Sequence, residues 1–345
     1  MKIIATVISL LLIIGNAKCS NDTTVVEISG KHLTVNGQDY FIKGVCYHPV
    51  KKGQTNRSFE KLDQDLLLMK EAGINTVRVY SPIDNITVLD KFFEAGIKVI
   101  IGIGYNQEGE YDILSGSFIN YVKKYSTHPS ILMWELGNEY NYHPEWFEGD
   151  IKNWYNALSE AARLIQRIDS NHPVSTAHGE IPDSTALVQI KHIDIWGLNI
   201  YRWDQPETAI KDWKIKSSMP FYYSEVGADS YMKITQGKFL EGENQKAQAN
   251  ANGKIVEVIM ENQLEVAGMT IFSFVDGWWK AGNPNQQDIG GWAPNSSGVP
   301  YDGTPNEEYW GIVDINRNKK RTFDIIKQKF NSKNTSQRDS FHKQN

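Results

Sequence analysis

Two glutamates carry the chemistry that this chain offers. Glu139 closes the run Trp134-Glu135-Leu136-Gly137-Asn138-Glu139, and Glu225 lies inside Tyr222-Tyr223-Ser224-Glu225-Val226-Gly227. Each follows a short apolar stretch of strand character and precedes a break in that pattern, which sets both carboxyls where strands give way to loops. Glycosidic bonds are cleaved by such pairs of carboxyl groups. In a double displacement one carboxylate attacks as nucleophile. The other donates a proton to the leaving oxygen and later serves as base when water or a second sugar enters. The two must therefore sit in unlike surroundings. Arg78 and Tyr201 are the donors expected to keep Glu225 ionised, while an apolar aromatic setting is expected to favour the proton on Glu139. Asn138 sets an amide beside the acid, within reach of a sugar hydroxyl. A glutamate taken at random is ordinarily a solvated surface charge; the strand-end settings distinguish these two.

Such residues need a scaffold that brings distant strand ends together. After a short hairpin, Val25 to Ile28 and His32 to Val35 around the turn Ser29-Gly30-Lys31, strand and helix patterns alternate almost to the end of the chain. The strands are expected at 41–47, 76–80, 98–103, 131–136, 174–177, 193–201, 221–225 and 268–275. Amphipathic segments lie between them at 59–72, 86–95, 117–126, 147–168, 207–216 and 243–263, with a weak piece near 186–190. Glycine closes two of these segments, at Gly73 and Gly96, as a helix stop before a strand. Eight strands with intervening helices imply a single (β/α)8 TIM barrel over residues 25–330. A long loop rich in Gly, Pro, Asn and Trp follows the eighth strand from Asp276 to Trp310. Gly311 to Ile315 is expected as a short strand, Thr322 to Phe330 as a closing helix, and 331–345 as a polar tail.

In such a barrel the working face is built at the C-terminal ends of the strands. Arg78, Asn138, Glu139, Asn199, Tyr201, Glu225 and Trp278 all fall at or just after such ends. Trp278 and Trp279 offer faces on which a pyranose ring can stack, or else core aromatics. His48 and His178 are either hydroxyl-binding or structural. Asp276 and Glu180 are candidates for orienting substrate, and Glu135 is expected to face the barrel interior in an ion pair. Tyr140, Tyr142, Trp146 and Trp203 lie on neighbouring loops as further sugar subsites.

Composition narrows the class. The 345 residues carry a net charge of -5 without a basic stripe, which argues against a nucleic-acid partner. Lys2 and the apolar run Ile3 to Ile14, with Gly15-Asn16-Ala17, read as a signal peptide over 1–17, too short to span a bilayer. The mature chain is thus expected to be secreted or in the cell envelope without a transmembrane span, with lipidation of Cys19 as an alternative. Cys46 reads as a buried free thiol. Asn21, Asn56, Asn85, Asn295 and Asn334 are glycosylation acceptors in a eukaryotic secretory pathway. No His-Glu-x-x-His spacing is present, so neither metal nor other cofactor is expected. The oligomeric state is open.

These motifs bring out a family resemblance. His128-Pro129-Ser130-Ile131-Leu132-Met133-Trp134 leading into Gly137-Asn138-Glu139 is similar to the acid/base strand of clan A glycoside hydrolases, nearest the barrel domain of family 2. Ser224-Glu225-Val226-Gly227-Ala228-Asp229 resembles the nucleophile strand. Phe41-Ile42-Lys43-Gly44-Val45 and Gly73-Ile74-Asn75-Thr76-Val77-Arg78-Val79-Tyr80 are also similar to family 72 β-1,3-glucanosyltransferases. The resemblance implies Glu139 as acid/base, Glu225 as nucleophile and a retaining outcome. It implies an oligosaccharide or polysaccharide substrate, with a β-linked glucan as the leading expectation. Transfer to a second sugar is a close variant, and a non-catalytic carbohydrate-binding protein on the same scaffold is the alternative from another class.

Overall fold

The computed structural model describes residues 23–105, 111–289, 302 and 306–332. The expected leader 1–17, Cys19, Trp292, Tyr301 and the tail from residue 333 lie outside the described residues. Strands β1 (Val26–Ser29), β2 (His32–Val35) and β3 (Gln38–Tyr40) form a small antiparallel meander, one strand more than the expected hairpin. Then come β4 (Ile42–Cys46), β5 (Thr76–Val79), β6 (Lys98–Ile103), β7 (Ile131–Asn138), β8 (Val174–Gly179), β9 (Ile195–Asn199) and β10 (Phe221–Val226). A two-residue-per-strand ribbon, β11 (Tyr231–Met232) with β12 (Gly242–Glu243), precedes β13 (Gly268–Ile271). Strands β4 to β10 and β13 pair in parallel and close into an eight-stranded barrel, with β13 between β10 and β4.

Helices α1 (Leu62–Ala72), α2 (Ile86–Glu94), α3 (Phe118–Tyr125), α4 (Ile151–Ile168), α5 (Ser184–Gln189), α6 (Glu207–Lys216) and α7 (Gln245–Glu261) alternate with the barrel strands, and α8 (Arg321–Asn331) packs against α1 and α7. The predicted segment 147–168 is divided: a 3-10 turn ends at Phe147, Glu148 and Gly149 both take positive φ, and α4 starts anew. Asp150 caps that start by accepting the Lys152 N–H. The predicted strand at Gly311 to Ile315 forms no ladder. Val313 makes isolated bridges to Val275 and Lys319, and the Gly311 N–H is taken by the Asp276 carboxylate at 2.8 Å.

Side-chain alternation along the strands separates two compartments. Val77, Val79, Val99, Ile101 and Ile103 point outward and join the helices in the main core. Val26 and Leu33 of the meander instead share a cluster with Ile42, Ile100, Met133, Ile195 and Tyr222. Ile42 and Ile195 open their strands, so the meander plugs the N-terminal end of the barrel. The opposite end is left for polar residues.

A buried ion pair fastens the segment before α8 to helix α1. Arg317 Nε and Nη2 donate to the Asp65 carboxylate at 2.8 and 3.1 Å, and Tyr47 Oη donates to it at 2.7 Å. Asp65→Ala should therefore strand the Arg317 charge and cost about 3–5 kcal/mol of folding stability. Urea denaturation checks this; a cost below about 1 kcal/mol would contradict the structural role.

Candidate active site

Period-two alternation puts Thr76, Arg78 and Tyr80 on the inner face of the second barrel strand, and Met133 and Glu135 on the inner face of the fourth. Continued unchanged, it would turn Asn138 outward. The chain corrects this with a register shift between Leu136 and Asn138 against β8. Gly137 sits at the shift with φ of 72°, and a Cβ there would lie 2.4 Å from a Trp154 ring carbon, so glycine is required sterically as well as conformationally. Glu139 follows with φ of 56°, itself left-handed, and its N–H donates to the Ala177 carbonyl at 2.8 Å.

Strand β10 uses the same device. Tyr222 points inward to Glu135 and Tyr223 outward into the main core. Strict alternation would send Glu225 outward with Tyr223. A register shift between Tyr223 and Glu225 against β9 changes its phase. The bulges thus aim both glutamates at one cavity of about 370 Å³, within the usual range for small-ligand sites.

Glu225 is buried and held by three donors. Arg78 Nη1 and Tyr80 Oη reach its Oε1 at 2.8 and 2.7 Å, and Tyr201 Oη reaches Oε2 at 2.7 Å. Burial pushes both phenols well above their ordinary pKa, with the charge of Glu225 adding to the effect, so they remain donors. Arg78 has no exposed surface; its Nε binds Glu135 at 2.6 Å and its Nη2 the Asn138 Oδ1 at 2.7 Å. Burial opposes its charge, but the surrounding groups, Glu135 foremost, more than offset this and its pKa lies above the ordinary guanidinium value.

Glu139 has the opposite character. Burial first, and then the negative charge of Glu225, push its pKa up to about 7, against smaller downward pulls from a hydrogen bond with Asn199 and from Arg78 and Lys280. Asn199 also donates to Asn138 Oδ1 at 3.1 Å and accepts from Ser224 Oγ at 2.6 Å. Asn138 spends its carbonyl oxygen on Arg78 and Asn199, so its Nδ2 is the part left for a ligand.

The cavity gathers Glu139, Glu225, Asn138, Asn199, Tyr201, His48 and Trp279. Glu180 and Tyr142 also line it. His48 stacks obliquely on Trp279 at 4.9 Å, and burial, then Arg57 and Lys280, lower its pKa to about 4, so it is a neutral imidazole at pH 7.

Several sequence expectations are corrected. Arg78 is the Glu225 donor that the sequence suggests, but it lies beneath the cavity and is not a substrate-binding group, because each of its three nitrogens donates to a protein acceptor. Trp278 does not line the cavity; its ring faces Lys52, whose Nζ lies 4.5 Å from the ring centre. His178 is buried outside the lining, with Nδ1 3.0 Å from the Glu180 carbonyl oxygen and its ring edge-on to Trp196. Asp276 is a buried structural anion, paired with Lys320 at 2.9 Å. Tyr140 is a core residue packed on Trp154, and Trp203 joins the cluster around Trp310. Trp146 is exposed and stacks on His143 at 4.0 Å, away from the lining. Glu135 faces the interior in an ion pair, as alternation implies.

Sequence reasoning passed over Tyr80, although its place two residues after Arg78 gives it the same inward direction. It also passed over Phe272, Lys280, Glu307 and Trp310, which line the cavity. These reach the site through the last barrel strand and the loop after it, where no periodic pattern announces direction.

The architecture is that of a (β/α)8 barrel with a carboxyl pair at the C-terminal ends of its strands. The family model described as "Glycosyl hydrolases family 2, TIM barrel domain" matches residues 26–242, and the chain belongs to this family. Among curated relatives, a 1,3-beta-glucanosyltransferase of Saccharomyces cerevisiae is 23% identical over 262 residues, covering 62% of this chain and 54% of the relative. A beta-galactosidase of Priestia megaterium is 30% identical over 149 residues, covering 37% of this chain and 14% of the relative. The chain therefore spans about half or less of the length of these relatives. Among solved structures, beta-glucuronidase 2 of Bacteroides uniformis superposes with a TM-score of 0.68 at 18% identity, covering 90% of this chain and 37% of that one.

The coupling of the two carboxyls is directly measurable. A carbon-13 carboxyl titration should show one glutamate with a midpoint near 7 that is missing in Glu139→Gln. In Glu225→Gln the midpoint should fall, because the anion that raises it is gone; an unchanged midpoint would mean that the two groups do not sense each other.

Proposed function

We propose that this chain is a retaining β-glycoside hydrolase acting on a β-linked glucan or a related polysaccharide. One observation carries the reading: an ion-paired, triply hydrogen-bonded Glu225 shares a sugar-sized cavity with a Glu139 whose proton is held up to about pH 7. Unlike surroundings for two carboxyls are what double displacement requires.

Glu225 attacks the anomeric carbon while Glu139 gives its proton to the departing glycosidic oxygen. The bond between carbon and that oxygen breaks as an ester to Glu225 forms. Esterification removes the negative charge of Glu225, which is one of the causes of Glu139's weak acidity. Glu139 thereby becomes the stronger acid and carries less of its proton, which suits its next task of accepting one from water. Water attacks the same carbon, the ester breaks, and two inversions leave the starting configuration. Tyr80, Tyr201 and Arg78 keep Glu225 aimed throughout. Trp279 supplies a ring face, and Asn138 Nδ2 and neutral His48 supply hydroxyl partners.

Transfer to a second sugar is the variant in which a hydroxyl replaces water at the second step. The relative from Saccharomyces cerevisiae is named for such a transfer. Products longer than the substrate in mass spectra support transfer, and shortening alone supports hydrolysis. The leader-like start of the chain supports export, and we include secretion or envelope placement in the proposal.

With a polysaccharide panel and activated aryl β-glycosides, Glu225→Ala should lose at least about 1,000-fold in kcat. Azide should rescue it and yield a glycosyl azide of inverted configuration, whereas wild-type turnover by this variant would refute the assignment. In the wild type, kcat/KM should fall as pH rises through about 7, because only protonated Glu139 is a competent acid. Glu139→Gln should abolish that limb on substrates with good leaving groups.

A further inference from the structure

The charges around the cavity are unevenly divided. Among the described residues four carboxyl groups line it, those of Glu139, Glu180, Glu225 and Glu307, against one ammonium, that of Lys280. Lys280 Nζ lies 2.9 Å from Glu307 Oε2, and both side chains are largely buried, at 24% and 19% exposure. The same Nζ stands 4.4 Å from the centre of the Phe272 ring. It is close enough to Glu139 and His48 to act on both electrostatically.

Arg57 acts on His48 from outside the lining and donates to the Ser81 and Pro82 carbonyls, and the two other arginines near the site are bound to carboxylates. Arg78 is enclosed between Glu135 and Glu225, with Asn138 on its third nitrogen. Arg202 is shared between Glu180 and Asp212. His48 is neutral at pH 7.

We propose that the cavity takes an uncharged sugar ring beside Glu139 and Glu225 and rejects an acidic one, with Glu307 clamped on Lys280 as the group that enforces the choice. The inference rests on the glycosidase reading and specifies its substrate class as neutral pyranosides, excluding uronates. A uronate carboxylate would give up its hydration on entering and would need a cation or several donors in exchange. Lys280, the one cation among the described lining residues, is already neutralised by Glu307, and displacing Glu307 from it would leave that carboxylate unpaired in a largely buried wall. An anion would also approach Glu225 and Glu180. Repulsion of this kind confers specificity by penalising the wrong ligand rather than by improving the right one.

The test uses full-length chain with matched pairs: β-linked gluco-oligosaccharides and aryl β-glucosides, each beside its counterpart oxidised to the uronic acid at C6. The neutral member should have the higher kcat/KM by about 100-fold or more, a gap of the size a mismatched polar group imposes. Glu307→Gln, which releases Lys280, should narrow the gap by about 10-fold through gain of uronate turnover. Equal or faster turnover of the uronate by the wild type would overturn the proposal while leaving the glycosidase reading intact. Turnover of neither member would remove the glycosidase reading, and calorimetric binding then decides the charge preference separately. Tighter binding of the neutral sugar supports it; equal, absent or weaker binding of that sugar relative to the uronate overturns it.

Discussion

The guanidinium of Arg78 has no contact with solvent, so every one of its bonds must be made within the protein, and those bonds set the geometry of the site. It ties Glu135 and Asn138 of the fourth barrel strand to Glu225 of the seventh. Burying a cation is unfavourable unless its partners are placed well, and removing one partner leaves a charge with nowhere to go. The residue that accepts this position therefore constrains two strands at once. Tyr222, donating to the far side of Glu135, completes the chain of contacts beneath the cavity.

Above this layer the site depends on asymmetry. Glu225 sits among donors, whereas Glu139 occupies a drier place where burial and the neighbouring anion weaken its acidity. The difference is produced by where the barrel places its polar side chains, not by the glutamates themselves. A plug of apolar residues at the N-terminal end and a polar layer at the other make the barrel one-sided. The backbone contributes too, since two register shifts convert outward positions into inward ones.

Much of this was legible in the sequence. The eight apolar runs, separated by amphipathic segments with glycine stops at Gly73 and Gly96, are enough to imply the barrel, and Glu139 and Glu225 fall at strand ends by simple position. Strand alternation also anticipates the inward Glu135. What the pattern could not convey is direction after a bulge or within a loop. Trp278 and Trp279 are adjacent and chemically alike, yet one turns to Lys52 and the other to the cavity. Asp276 stands by position where it could orient substrate but is consumed by Lys320 and the Gly311 N–H, contacts that span the loop and depend on the tertiary fold. Tyr80 was within reach of the alternation argument, and Lys280 with Glu307 was not.

The central claim is that Glu225 forms the bond to sugar. A 2-deoxy-2-fluoro β-glycoside of a neutral sugar with a good leaving group slows the second displacement and lets the glycosyl-enzyme accumulate. Peptide mass spectrometry after proteolysis should find the added sugar on Glu225, in the peptide containing Tyr222-Tyr223-Ser224. Labelling of Glu139 or any other residue in its place, in a chain that turns over the unfluorinated glycoside, would contradict the account.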